Sequence, residues 1–278
     1  MATGHDTITF LSDYGTDDEF VGVVHAVVRS IAPQAAVVDL THGIPPHDVR
    51  AGALTLARSA QYLCPGVVLA VVDPGVGTDR RAVAVEVGGG QSVLVGPDNG
   101  LLAPAVAMVG GADRAVELTE AGYQLEAPGA TFDGRDVFAP AAAHLCNGVD
   151  LAELGRPVDA AGLQPSVMPL SREEDGSLVA EVLWVDRYGN AELNLDPTQL
   201  DGWGERVRLA IGEATRTAVV AGAFGELAVG EVGLVVDAYG LLAIALDRHS
   251  AADELRLSVG DSVTVEPLAD HGEPVAVR

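Results

Sequence analysis

The sequence is short of cysteine, of basic residues and of aromatics, and each shortage narrows what the chain can be. Its two cysteines, Cys64 and Cys146, lie far apart, with no CxxC or His-x-x-His company. A disulfide scaffold is excluded, a zinc site is not expected, and reduced core thiols are the reading. Lys and Arg number 16 against 40 Asp and Glu, a net charge of −24 over 278 residues. Nucleic acid is therefore not an expected partner, because a phosphate backbone has to be met by cations. No apolar run reaches membrane-spanning length, and the opening MATGHDTITF has neither a basic head nor a signal-type core. The expectation is a cytoplasmic protein that makes no membrane contact. Hydrophobic residues are plentiful at 48%, enough for one large or two ordinary domains.

The rest of the chain is organised around residues 67–81, VVLAVVDPGVGTDRR. Val67 to Val72 has the length and β-branched content of a buried strand, and it stops at Asp73, Pro74, Gly75 and Gly77. A carboxylate at the carboxyl end of a strand in an open α/β sheet sits where ligands bind. Arg80 and Arg81 follow, so anionic and cationic groups can converge on one pocket. A plain strand-end turn with an exposed Asp is the other reading, and it loses weight because the same grammar recurs. Thr7 to Ser12 reads as a strand ending at Asp13, Tyr14 and Gly15. A helix from about Asp18 follows, with Thr16 or Asp17 as its cap and Phe20, Val23, Val24, Val27, Val28 and Ile31 on its apolar face. His25 in that helix reads as structural.

Val37 to Leu40 is a second strand and Asp48 to Tyr62 a second helix. Beyond the centre, Ala82 to Val87 and Ser92 to Val95 form a pair of strands joined by three glycines. GPDNGLL leads into a helix from Leu101 to Val109, with Asp98 and Asn99 read as caps. Ala115 to Leu118 is a further strand, and Thr131 to Asp136 is an acidic turn opening a helix that carries Val137, Phe138, Ala141 and Leu145. This β-loop-α-β order predicts an α/β domain with a largely parallel sheet. It is assigned residues 1–164, and residues 165–177, with two prolines and a charged run, are assigned to a linker. Residues 178–278 show short strands separated by glycine turns, the pattern of a small antiparallel β-barrel. The turn from Asp186 to Asn190 reads there as ordinary hairpin chemistry. Acidic groups at strand ends, Asp13, Asp73 and Asp133, fit either a hydrolase holding Mg²⁺ or Mn²⁺ or a metal-free enzyme that uses carboxylates directly.

Five motifs in order, FLSDYGTDDEFVG, DPGVGTDRR, GPDNGLL, TFDGRDVFAPAAAHL and VDRYGN, resemble the S-adenosyl-L-methionine (SAM) hydroxide adenosyltransferases. These adenosine-forming SAM hydrolases are relatives of the SAM-dependent fluorinase and chlorinase. The resemblance spans nearly the whole chain and implies an α/β domain followed by a β-barrel. It also implies a homotrimer with active sites between the N-domain of one subunit and the C-domain of the next. The implied reaction is attack of water on the ribose 5′ carbon of SAM, giving adenosine and L-methionine, with no cofactor and no metal.

Residue by residue, the resemblance makes Asp13 the ribose-binding carboxylate and gives Asp186 and Asn190 the amino end of the methionine moiety. Tyr188 and Phe224 match aromatic positions around the substrate, Gly134 lies in the TFDGRD turn, His47 stands where the family has an aromatic beside the ribose, and Arg248 lies in the segment that meets adenine. The family's catalytic Asp and Arg map onto Asp73 and Arg80. Its histidine does not map: this chain carries Asp133 there. A second carboxylate beside Asp73 would raise one of the two pKa values unless Arg80 sits between them. The reading adopted is retained hydrolysis. The alternatives are a SAM- or adenosine-binding protein that has lost turnover, a halogenase, disfavoured because Asp73 and Asp133 would repel a halide, and the metal hydrolase.

Overall fold

The computed structural model describes residues 4–268. They form two compact units that divide between Val167 and Met168.

The first unit holds β1 (Thr7–Ser12), α1 (Phe20–Ile31), β2 (Ala36–Thr41), α2 (Val49–Ser59), β3 (Val67–Val71), β4 (Ala82–Val87), β5 (Ser92–Pro97), α3 (Ala103–Met108), β6 (Ala112–Leu118), α4 (Ala139–Cys146) and β7 (Gly155–Pro157). The seven strands lie in the order β2-β1-β3-β5-β4-β6-β7. Pairing is parallel from β2 through β5 and antiparallel from β5 through β7. Every residue of β3 is buried, as its unbroken apolar run requires of a central parallel strand. Val24 and Val28 of α1 join Ile8, Leu69 and Phe138 in the core, each such side chain contributing about 1.5–3 kcal/mol by leaving water.

Helix starts differ from the expectation. α1 begins at Phe20 after Glu19, with no side-chain cap, so neither Thr16 nor Asp17 caps it. α2 does begin with a cap, Asp48 accepting from the Ala51 N–H. α3 starts after Leu102, again uncapped by a side chain. Cys146 is buried, but Cys64 is exposed, so only one of the two thiols belongs to the core.

The second unit holds β8 (Arg172–Glu174), β9 (Ser177–Val185), β10 (Ala191–Leu193), β11 (Arg206–Ile211), β12 (Ala214–Ala221), β13 (Val232–Val236), β14 (Leu242–Leu246), α5 (Ala251–Leu255) and β15 (Ser262–Pro267). Strands β10-β14-β13-β12-β11-β15-β9 close into a seven-stranded barrel through the pairing of β9 with β10, with β8 beside β9. The barrel is antiparallel except where β12 runs parallel to β13. Alternate residues of β9 and β11 point inward, and Val182, Val207, Leu209, Leu234, Ile244 and Val263 fill the interior. The segment expected to be a linker is not all linker, because β8 pairs with β9 across Asp175 and Gly176. Both turn residues have positive φ, 51° and 79°, which is the backbone of the Asp-Gly hairpin turn. No helix among the described residues is long and apolar enough to cross a membrane.

Candidate active site

The strand order of the first unit sets where a ligand can enter. β1 lies between β2 and β3, so the chain departs to one side of β1 and returns on the other. The crevice outside the carboxyl ends of β1 and β3 is thus the topological switch point, where ligands bind in open α/β sheets. Ser12 is in register with Val71. Asp13 and Asp73 follow those strand ends and so leave the sheet side by side.

Three charged side chains interlock at this edge. Arg80 Nε donates to Asp73 Oδ1 at 2.9 Å and to Oδ2 at 3.0 Å, and Nη2 donates to Asp73 Oδ2 as well. The same Nη2 donates to Asp133 Oδ2 at 2.5 Å. The guanidinium therefore lies between the two carboxylates and offsets their mutual repulsion. Side-chain exposure is 6% for Asp73, 12% for Arg80 and 19% for Asp133, so the cluster is largely out of bulk water and its charges interact strongly. Burial opposes the charge on Arg80, but the hydrogen bonds and charges of Asp73 and Asp133 outweigh it and raise the guanidinium's pKa. Below the guanidinium is the buried ring of Phe138, 5.2 Å from Arg80 Cζ.

The loops that carry these groups are held by close packing. Gly77 has φ of 77°, and a Cβ there would meet the Ala130 carbonyl at 2.6 Å. Only glycine lets the Asp73–Arg80 loop approach the segment that delivers Asp133. After Asp133 the backbone forms a π-turn over Gly134–Phe138 before entering α4, an irregularity frequent at functional sites.

A pocket of about 250 Å³ opens beside the cluster, lined by Asp13, Tyr14, Phe20, His47, Asp73, Phe132, Asp133 and Gly134 among others. Asp13 Oδ2 accepts the His47 N–H at 2.8 Å, and His47 is held at φ of 68°, a strained conformation for a non-glycine residue. A carboxylate has about four acceptor sites, so Asp13 keeps capacity for ligand hydroxyls. Tyr14 Oη fills the space above Gly134, where a Cβ would lie 2.1 Å away. Burial first, then the charges of Asp13, Asp73 and Asp133, push the Tyr14 phenol up, so it is a neutral donor facing three carboxylates. Phe20 and Phe132 complete the wall, edge to face at 5.1 Å, with Tyr14 5.6 Å from Phe132. The sequence reading did not assign Tyr14, Phe20 or Phe132 to the site. The available signal was their position beside strand-end acidic motifs in a chain only 4% aromatic.

The remaining candidates lie in the second unit. Asp186 Oδ1 accepts the Tyr188 and Asn190 N–H groups at 2.8 and 2.9 Å, and Oδ2 accepts Asn190 Nδ2 at 2.8 Å. Asp186 thus closes its own turn, as the hairpin reading requires, and still presents a carboxylate. Gly189 lies against Ser250, where a Cβ would meet Oγ at 2.1 Å. The Ala252 N–H donates to the Gly189 carbonyl at 2.9 Å. This brings the 186–190 turn to the segment that carries Arg248, whose side chain is 90% exposed. Tyr188 is also exposed, and Phe224 opens a short turn between β12 and β13.

Arg81 does not join Arg80. It donates from Nε to Asp98 Oδ2 at 2.8 Å, while Asp98 Oδ1 accepts the Gln164 N–H at 2.8 Å. Asn99 donates to the Val72 carbonyl at 2.9 Å and accepts from Leu101 N–H at 3.1 Å. Asp98 and Asn99 therefore brace the loops behind β3 instead of capping α3. A second cavity nearby, about 310 Å³, is lined by Val83, Val85, Leu102, Val106 and Leu163 with Asp98. Its one charged group is committed to Arg81, so it lacks the convergent polar groups of a reaction site.

Comparison with known proteins places the chain in a family. Residues 8–155 match the SAM hydroxide adenosyltransferase N-terminal domain, and residues 180–264 match the C-terminal domain of the same name. The chain is similar to the (R)-S-adenosyl-L-methionine hydrolase of Salinispora arenicola, at 45% identity over 93% of this chain and 97% of the relative. It is more distantly similar to the fluorinase of an Actinoplanes species, at 27% identity over 95% and 98%. A crystal structure of an uncharacterized conserved protein from Thermotoga maritima superimposes with a TM-score of 0.86 at 32% identity, covering 93% of this chain and 99% of that one. The chain belongs to the SAM hydroxide adenosyltransferase family.

Proposed function

We propose that the protein hydrolyses SAM to adenosine and L-methionine by attack of water on the ribose 5′ carbon. The (R) sulfonium epimer named for the Salinispora relative is the form to be tested first. The observation that carries this reading is the pairing of Asp73 and Asp133 through Arg80 at the switch-point pocket. In the step proposed, a water oxygen bonds to C5′ as the C5′–S bond breaks. The bonding pair stays on sulfur, which leaves as the neutral thioether of methionine. The proton released passes to a carboxylate and then to solvent. No leaving-group acid and no cofactor is needed, and the site's task is to orient water and hold the C5′–S bond in line.

Asp73 is assigned the water, with Arg80 fixing its carboxylate plane and Asp133 supporting Arg80 from the other side. Asp13 is assigned the 2′ and 3′ hydroxyls. Three carboxylates against one guanidinium draw a cationic sulfonium and repel halide, which favours hydrolysis over halide transfer. Asp186 and Asn190 are assigned the amino end of methionine, Tyr188 and Phe224 the substrate's flat faces, and Arg248 the adenine side. The pocket of the first unit, about 250 Å³, is smaller than the roughly 300–1,000 Å³ of sites that enclose a whole ligand. The first unit alone thus leaves a ligand incompletely enclosed, and we assign the rest of each site to the second unit of a neighbouring subunit in a homotrimer, as the family resemblance implies. We place the protein in the cytoplasm, where SAM is made and used.

The test is incubation of chelator-treated protein with each SAM epimer, following products by chromatography with and without chloride. Adenosine and methionine in equal amounts, independent of chloride, are expected. Binding of SAM in calorimetry without products would instead mark a binding protein, and loss of turnover that returns with Mg²⁺ would mark a metal hydrolase.

A further inference from the structure

Outside the pocket, α1, β2 and the turn after β2 bring His25, Asp39 and His42 together. His25 Nε2 lies 2.8 Å from Asp39 Oδ1, His42 Nε2 lies 3.0 Å from the same oxygen, and the three ligand-type atoms all fall within 4.8 Å of one another. None of the three residues lines the pocket that holds Asp13 and Asp73.

Two features separate this trio from an ordinary ion pair. The His42 side chain is 6% exposed, and its buried Nε2 lacks a well-directed hydrogen bond despite the 3.0 Å approach to Asp39. A buried polar atom without a directed partner is costly unless something else engages it. Close approach with misdirected N–H geometry is what neighbouring ligands on one metal show, the edge of a zinc tetrahedron being about 3.3 Å for bonds of about 2.0 Å. The second feature is the other ring nitrogen. His42 Nδ1 lies 2.8 Å from Ser12 Oγ, which also accepts the Tyr14 N–H at 3.3 Å, and Phe10 packs on the ring at 4.6 Å. Metal-binding imidazoles are oriented by such a contact at the nitrogen that does not bind.

We propose that His25, Asp39 and His42 form a site for one divalent transition-metal ion, zinc being the best match, with water in the fourth position. Two imidazoles and one carboxylate suit zinc, whereas Mg²⁺ and Ca²⁺ select oxygen ligands. Side-chain exposure of 36% at His25 and 42% at Asp39 leaves the outer side open to that water. The ion ties α1 to the edge strand β2 and, through Ser12, to the strand end that carries Asp13. It takes no part in the proposed reaction, and it gives His25 a role beyond the structural one expected from sequence.

The experiment uses untagged, chelator-treated full chain, titrated with Zn²⁺ against a chromophoric chelator and with Co²⁺ for visible absorption, and melted with and without Zn²⁺. One equivalent bound, tetrahedral cobalt bands and a raised melting temperature are expected. Because His42 is buried, the variants are the more exposed His25→Ala and Asp39→Asn. Each should weaken Zn²⁺ binding at least tenfold and remove the melting shift, while SAM turnover by the chelator-treated protein stays unchanged. Absence of binding, or wild-type affinity in both variants, would overturn the site and leave a hydrogen-bonded trio with adventitious surface binding. The metal readouts need no substrate, so they stand or fall apart from the SAM reaction.

Discussion

At the scale of the residue, the proposed mechanism gives the water to Asp73 and the support of Arg80 to Asp133. Asp73→Asn keeps the shape and removes the charge that would take up the water's proton. Turnover should fall by about 10²–10⁴-fold, with SAM affinity changed by less than about threefold in calorimetry, and an unchanged rate would remove Asp73 from the mechanism. Asp133→His should keep turnover within about tenfold, because an imidazole nitrogen can accept the same Arg80 N–H; collapse of the rate would show that this chain needs the second carboxylate. Asp13 and Asp73 were legible in the sequence because a carboxylate that halts an apolar run is a local pattern, whereas Asp133, expected at a strand end, instead follows the loop after β6 and opens the π-turn into α4. The partition of the two arginines was not. Arg80 and Arg81 are adjacent, and only the folded loops send one to Asp73 and the other to Asp98. The aromatic wall of Tyr14, Phe20 and Phe132 was illegible for the same reason, since residues more than a hundred positions apart meet only in the fold.

At the scale of the element, periodicity placed the strands well and the helix ends poorly. A buried run such as β3 announces itself by composition, whereas α1 and α3 begin without the side-chain caps that sequence reading relies on. β8 escaped because its three residues are all charged and exposed, although Asp175-Gly176 is a strong hairpin signal in itself. GPDNGLL reads as a capping segment and is a brace: Asp98, 4% exposed, holds Arg81 and the Gln164 backbone. Asp98→Ala should therefore destabilise the protein by about 3 kcal/mol, the usual cost of leaving one partner of a buried pair alone. Thermal melting should show this as a drop of roughly 6–12 °C, and a drop under about 2 °C would mean that water takes over the pairing.

At the scale of the whole molecule, the proposed residues fall into two sets, one in each unit. Asp13, Asp73, Arg80 and Asp133 belong to the first, and Asp186, Asn190 and Arg248 to the second. The homotrimer proposed above, as a head-to-tail ring, would set each first unit against a neighbour's second unit. Asp73→Asn and Asp186→Ala should each be inactive alone, and co-assembled mixtures should regain activity at interfaces where both contributing units are intact. Mixtures that stay inactive would place both sets in one subunit or remove one from the site. The chemistry itself is tested most directly by running the reaction in H₂¹⁸O and weighing the products. Attack at C5′ predicts the heavy oxygen in adenosine and none in methionine. Unlabelled adenosine, or label carried into the amino-acid product, would contradict it.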